Sequence, residues 1–176
     1  MPRRGVAILA AVLLASACGQ GVDGTPLAGS PAEPWDPCSI PTQAIEATGL
    51  HLAPEGGGWG EGIVVRDWTR CVWERVSSDE RYSVIALAST SSTLDDLRGN
   101  PNYRDFVPAD FGSRTGYRHF YTGFDDEERC GLAIDTTAGV VSFSLNEERA
   151  GRDNHDSCSR LLEHATALAD YLPPNA

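Results

Sequence analysis

Four cysteines at wide intervals are the strongest constraint on how this chain can fold. They are Cys38, Cys71, Cys130 and Cys158; the fifth cysteine, Cys18, lies apart from them in the N-terminal segment. An even number of cysteines in an exported chain is typical of disulfide bonding, because compartments outside the cytosol permit thiol oxidation. Four cysteines allow three pairings, and spacing alone does not choose among them. The direction in which each side chain points is therefore needed to choose the pairing.

The hydrophobic pattern favours one pairing. The segment CGLAID places Cys130 on the apolar face of a predicted strand. Cys158 lies on the apolar stripe of a predicted helix, together with Leu161, Leu162, Ala165, Leu168, Ala169 and Leu172. Because both thiols then face one core, we predict a Cys130–Cys158 bridge, which leaves Cys38–Cys71. Each bridge closes a loop of about 30 residues and contributes about 3.5 kcal/mol in the chain-entropy model.

Metal binding is the alternative interpretation of these cysteines. Neither a CxxC nor an HxxxH spacing occurs, so we expect no metal site and no cofactor. The acidic run at 125–128 lacks the alternating ligands of a calcium loop and is predicted to be a solvated turn. The four histidines are predicted to be solvated or structurally hydrogen-bonded: His51, His119, His155 and His164.

The N-terminus is predicted to be an export signal. Arg3 and Arg4 precede an uncharged apolar run at 5–17. A helix of that length covers about 20 Å, which is short of the roughly 30 Å hydrocarbon core of a membrane. The segment LASAC, ending at Cys18, resembles the bacterial lipobox, although that pattern prefers leucine where Ala15 stands. We predict a lipoprotein signal peptide over 1–17; the alternative is an ordinary secretory signal with an unmodified cysteine.

The resemblance to a lipobox implies that the thiol of Cys18 carries a diacylglycerol group. Acyl chains anchor a protein to a membrane without spanning it, at about 0.8 kcal/mol per buried methylene. Residues 18–36 are rich in Gly, Pro, Ser and Ala and are predicted to be the lipidated cysteine and a flexible tether with a reach of about 23 Å. The expected location is therefore the extracytoplasmic face of the cell membrane, with one folded domain at 37–174.

The chain is strongly acidic. Its formal charge is −11, with 14 Arg and no Lys among the basic residues. Removal of residues 1–17 leaves 12 basic against 25 acidic residues, a formal charge of −13. Such a surface repels nucleic acid and anionic lipid headgroups, so the predicted membrane attachment depends on the lipid. A basic partner or a cationic ligand is compatible with this charge, as is solubility alone.

Local patterns predict an α+β domain, an antiparallel sheet with N- and C-terminal helices packed on it. Short helices are expected over 41–49 and 93–101, and a final helix is expected from Cys158 to Pro173. Residues 51–62 contain too much glycine for regular structure and are predicted to form a loop. The predicted strands are 71–76, 82–90, 116–123, 130–137 and 140–145, the last two joined by a tight turn.

Several segments together resemble one family of bacterial lipoproteins. They are DPCSIPTQAIEATGL, RCVWERV, YSVIALASTSSTLDDLRGNPNYRDF, ERCGLAIDTTAGVVSFSL and CSRLLEHATALADYLP. In this order they resemble the actinobacterial lipoproteins that contain the domain of unknown function 3558. The resemblance implies a lipobox, a membrane-anchored location and paired cysteines. It implies no established reaction.

The sequence contains no recognisable catalytic motif. No GxSxG nucleophile elbow occurs, and the glycine-rich 56–62 segment lacks the spacing of a dinucleotide-binding loop. Trp59, Arg66 and Trp68 lie close together in sequence and are the candidate ligand-binding residues; the alternative is that the tryptophans pack at the edge of the core. We expect a non-catalytic domain that binds a small ligand or an envelope protein. The alternatives are a purely structural envelope lipoprotein and an enzyme with a dispersed active site.

Overall fold

Seven β-strands form one antiparallel sheet in the computed structural model of the protein, which describes residues 34–77, 81–123, 129–147 and 157–176. The strands are β1 (His51–Gly57), β2 (Thr69–Val76), β3 (Arg81–Ser89), β4 (Tyr103–Phe111), β5 (Arg114–Tyr121), β6 (Arg129–Thr136) and β7 (Gly139–Glu147). Their order in the sheet is β1-β2-β3-β7-β6-β5-β4, so β1 and β4 are its edges. The prediction of an antiparallel sheet with helices and two disulfides is confirmed.

Within the described residues, three α-helices accompany the sheet, and their ends follow local sequence rules. The helices are α1 (Thr42–Ala47), α2 (Leu94–Gly99) and α3 (Ser157–Leu168), and a 3₁₀ turn at Ala169–Tyr171 follows α3. The first helix starts after Pro41, and Gly49 follows its end with a φ of 77°. The side chains of Thr93 and Asp96 form a capping box at the start of α2. These three helices lie where the sequence predicts them.

The larger core lies on the face of the sheet that carries both disulfides. Strand alternation places Trp73, Val84, Leu132 and Phe143 on this face, all almost completely buried. Helix α3 packs on β6 and β7 and adds the apolar stripe Leu161, Ala165 and Leu168 to the same cluster. The bridges are Cys38–Cys71 and Cys130–Cys158, with Cα–Cα distances of 5.2 and 5.1 Å. Both bridges therefore have the predicted partners.

A smaller cluster lies on the opposite face of the sheet. Leu94 and Leu97 of α2 contact Ala133 and Val140, and all four are buried. The partly buried aromatic side chains that surround them are Trp68, Tyr103, Phe106 and Tyr117. Both faces of the sheet thus carry apolar contacts, which explains why β6 and β7 are buried along most of their length.

The two edge strands differ from the sequence-based expectation. Residues 51–57 form β1, so the prediction of a loop over 51–62 is wrong for its first part. This strand pairs with β2 at His51 and Leu52 and then shifts register before Gly57. Pro54 and two glycines hide the strand pattern, and an edge strand tolerates them because one side of its backbone needs no partner. No strand was predicted for β4, the other edge, which contains Pro108 and a register shift.

Arg114 holds the C-terminal segment against the sheet. Its guanidinium group donates hydrogen bonds to the carbonyl oxygens of Ala169 at 2.9 Å, Leu172 at 3.1 Å and Pro173. It also donates to the side-chain oxygen of Asn175 at 2.7 and 3.0 Å. One cation therefore bonds carbonyl groups of the 3₁₀ turn and of the residues that follow it, where the chain leaves the helix.

We expect Arg114→Ala to lower the free energy of unfolding by about 2 kcal/mol, since it leaves partly buried carbonyl groups without a charged donor. Amide hydrogen exchange of residues 169–176 should accelerate before the sheet is affected. Urea unfolding and exchange mass spectrometry measure the two effects. Arg66→Ala is the matched control, because Arg66 is exposed. Equal stability of the two variants would contradict this role for Arg114.

Candidate functional site

An open cleft of about 430 Å³ lies beside the edge formed by β1 and β2. The lining residues are Ala53, Pro54, Trp59, Gly60, Arg70 and Val72. Ala53 and Pro54 belong to β1, Arg70 and Val72 belong to β2, and Trp59 and Gly60 lie in the loop between the two strands. Arg70 and Val72 are two residues apart in β2, so both side chains project toward the same face of the sheet.

Polar contacts hold the loop 58–68 that forms one wall of the cleft. The indole N–H of Trp59 donates to the carbonyl oxygen of Trp68 over 3.4 Å. Arg70 donates from Nη1 to the carbonyl oxygen of Gly58 over 2.6 Å. Its guanidinium carbon lies 5.8 Å from the centre of the Trp59 ring, within range of a cation–π interaction. These contacts close the loop at its base and orient the indole toward the cleft.

The structure separates the three residues that the sequence analysis grouped together. Trp59 lines the cleft, as a ligand-binding role requires. Trp68 contributes its carbonyl oxygen to Trp59, while its side chain packs against the cluster beneath α2. Arg66 is exposed and is not among the lining residues. The cation at the cleft is Arg70, which the sequence analysis missed; its position directly before Cys71 in a strand was the available signal.

The cleft combines apolar surface with hydrogen-bond donors. Trp59, Pro54 and Val72 offer a planar and an aliphatic surface. Arg70 uses Nη1 for Gly58, and the described part of the chain offers its other guanidinium nitrogens no acceptor. Such a set of groups is suited to an apolar or aromatic group that carries a carboxylate or carbonyl oxygen, because arginine presents several donors in one plane.

His119 is the centre of a second cluster, on the same face of the sheet as α2. Its ring is stacked on Phe106 with centroids 4.7 Å apart and lies 5.0 Å from Tyr103 and 5.6 Å from Tyr121. Phe106 reaches it because β4 shifts register between Arg104 and Val107. On the other strand, Gly131 leaves the space for the ring: a Cβ there would lie 2.2 Å from Nε2.

The environment of His119 contradicts the predicted solvated or hydrogen-bonded role. The residue is fully buried, and neither ring nitrogen has a hydrogen-bond partner in the described part of the chain. Burial lowers the pKa of His119 to about 4; the backbone of Tyr117 acts in the opposite direction but forms no hydrogen bond of normal geometry. Aromatic side chains and a glycine surround the ring, so it packs as a neutral aromatic group.

The structure tests the predictions for two of the other three histidines and does not describe the acidic run. His164 accepts or donates a hydrogen bond with the hydroxyl of Tyr82 at 2.9 Å, which confirms a structural role. His51 is exposed, as predicted. His155 and the run 125–128 lie outside the described residues, as does Cys18. Across the described ranges, no three or more His, Cys, Asp or Glu side chains group as metal ligands do.

A family model covers nearly the whole sequence. It carries the description "Protein of unknown function (DUF3558)" and matches residues 13–171. The chain belongs to the DUF3558 family. The match confirms the predicted family and includes both disulfides, the cleft and the His119 cluster. No curated protein and no solved structure matches the chain at a significant level.

The description of the family says nothing about membrane attachment, so only the chain's own residues bear on it. None of the helices within residues 34–77, 81–123, 129–147 and 157–176 is both long and apolar enough to cross a bilayer. Residues 13–17, at the end of the predicted signal peptide, and Cys18 fall within the segment that the DUF3558 model matches.

Proposed function

We propose that this DUF3558 protein is a membrane-anchored extracytoplasmic lipoprotein whose domain binds a small ligand or a partner protein without catalysis. The lipobox-like sequence that ends at Cys18 supports the anchor. The two disulfides support an oxidising compartment. In this arrangement the helices α1 and α3 pack on one face of the sheet, and the cleft at β1 and β2 stays open to the envelope.

The observation that carries the binding role is the pairing of Trp59 and Arg70 in the cleft. An indole and a guanidinium group face one open space of about 430 Å³, and the loop that carries the indole is held by two hydrogen bonds. Preorganised aromatic and charged groups reduce the entropy lost on binding. The ligand chemistry that fits is an apolar or aromatic body with an oxygen acceptor, from a free metabolite or from a peptide side chain.

We expect Trp59→Ala to weaken binding at the cleft, because it removes the aromatic surface that lines it. The wild-type, acylated protein is extracted from its membrane and examined by native mass spectrometry, and partners are captured by crosslinking in intact envelope. Ligand or partner retention should fall at least about tenfold in Trp59→Ala, which corresponds to about 1.4 kcal/mol. Arg66→Ala is the control because Arg66 lies in the same loop but does not line the cleft. Retention unaffected by Trp59→Ala would show that the cleft is not the site.

The anchor has its own test. We expect Cys18→Ser to move the protein from the membrane fraction to the soluble fraction, since the thiol is the proposed attachment point of the lipid. Mass spectrometry of the wild-type N-terminus should show a diacylglyceryl cysteine at position 18. A Cys18→Ser protein that still fractionates with membranes would mean that another contact holds it there.

A further inference from the structure

The loop 58–68 carries an apolar tip that the cleft does not use. Ile63, Val64 and Val65 follow one another in sequence and are 58%, 79% and 36% exposed. None of the three lines the cleft. Consecutive aliphatic side chains at this exposure are unusual on the surface of a soluble domain and indicate a contact with an apolar partner.

Hydrogen bonds and a turn fix the base of the loop and hold residues 63–65 outward. The backbone N–H of Ile63 donates to the carbonyl oxygen of Gly60 over 3.2 Å, forming a turn. Gly60 and Gly62 have φ values of 99° and 77°, in the left-handed region that glycine adopts without strain. Together with the bond from Trp59 to Trp68, this turn presents the three aliphatic side chains outward.

The described chain enters the domain beside this loop. The carbonyl oxygen of Trp35 accepts a hydrogen bond from the hydroxyl of Thr69 at 2.7 Å, and Thr69 is the first residue of β2 after the loop. The sulfur of Cys38 lies 3.9 Å from the carbonyl oxygens of Gly56 and Arg70. Trp35 therefore brings the chain that leads toward Cys18 to the base of the apolar loop, and the sequence of residues 18–36 predicts a reach of about 23 Å.

We infer that residues Ile63, Val64 and Val65 insert into the lipid leaflet that holds the anchor. This inference rests on the proposed acylation of Cys18. A short tether raises the effective concentration of the leaflet around the loop, so even three aliphatic side chains are enough for contact. Branched aliphatic side chains bind lipid through burial of apolar surface, and the net acidic charge of the chain favours an uncharged leaflet surface over an anionic one.

Depth-dependent fluorescence quenching tests the insertion. The acylated full chain carrying Val64→Cys is labelled with an environment-sensitive fluorophore and reconstituted into phosphatidylcholine vesicles that contain nitroxide-labelled lipid. Val76→Cys is the matched control: Val76 is 54% exposed and ends the same strand β2 that the loop precedes, about 23 Å from Thr69. The label at position 64 should shift its emission to the blue and be quenched at least about twofold more than the label at position 76.

A second measurement needs no label. Amide hydrogen exchange of residues 60–67 should be slower on vesicles than in detergent-free solution of the unlipidated Cys18→Ser chain. The triple variant Ile63→Ser, Val64→Ser and Val65→Ser should lose that protection while it still floats with the vesicles. These side chains are exposed, so the triple variant is expected to fold.

The outcomes separate the two proposals. A wild-type chain that does not float with vesicles overturns the anchor and, with it, the basis of this inference. A chain that floats while the label at position 64 is neither shifted nor quenched overturns the insertion alone. Quenching that appears only when anionic lipid is added would contradict apolar insertion.

Discussion

Replacing Cys130 and Cys158 together by alanine should lower the free energy of unfolding by about 4 kcal/mol. The bridge closes a loop over a sequence separation of 28 residues, which is worth about 3.5 kcal/mol through the entropy of the unfolded chain. Both cysteines are only 1% exposed and belong to the main core cluster, so removal of the sulfur atoms also leaves unfilled volume. The two effects add because one acts on the unfolded state and the other on the folded state.

The other bridge provides the comparison. Cys38–Cys71 spans a similar separation of 33 residues, but only Cys71 is buried, and Cys38 is exposed. The variant Cys38→Ala with Cys71→Ala should therefore leave less unfilled volume and lose about 3.5 kcal/mol, nearly all of it the entropic part. Urea unfolding at equilibrium, extrapolated linearly to water, measures both losses. A variant without the Cys130–Cys158 bridge that unfolds at the wild-type urea concentration would contradict this account.

The interior of the sheet was predictable because several local signals agree there. In β6 and β7, apolar residues, a tight turn and β-branched side chains all predict a hairpin, and the structure has that hairpin, with Ile134 paired to Val141. The pairing of Cys130 with Cys158 followed from the same logic, since helix and strand periodicity each assign one thiol to the core. Where hydrophobic pattern, turn residues and packing agree, a single sequence is sufficient to predict the local fold.

The edges of the sheet were not predictable for a physical reason. Both β1 and β4 contain a proline and a change of register, and each has only one neighbouring strand. Edge position relaxes the requirements for hydrogen bonding and alternation that make a strand recognisable. What forms β1 is its pairing with β2, a contact that no local pattern in residues 51–57 records.

The candidate site was predictable only in part. Trp59 was a candidate because a loop tryptophan offers an aromatic surface to a ligand, although such a residue more often packs at the edge of a core. Arg70 was missed, since its role depends on the fold: it lies in β2, and the cleft wall it faces comes from the loop and from β1. Arg66 is nearer to Trp59 in sequence but is exposed, which shows that proximity along a loop does not place side chains together.

After the disulfides, the second large expected effect comes from His119, which makes the free energy of unfolding depend on pH. Burial among aromatic rings lowers its pKa from 6.5 to about 4, so the unfolded chain binds a proton more readily than the folded protein. The stabilisation is therefore complete above pH 6.5 and is lost as the pH falls from 6.5 toward 4. By linkage, the loss from this one residue amounts to about 3 kcal/mol at pH 4.

The variant His119→Phe isolates that contribution. Phenylalanine keeps a planar ring between Phe106 and Gly131 and removes the titratable group, and no described hydrogen bond is lost because neither ring nitrogen makes one. Urea unfolding at pH 7 and pH 4 gives, for each protein, the free energy of unfolding lost between the two pH values. A change in packing cancels when the two losses are compared, because it is present at both pH values. The wild type should lose about 3 kcal/mol more than the variant. Equal losses would mean that the protonated imidazole is accommodated in the folded state, and the aromatic cluster would then have to open to water at acidic pH.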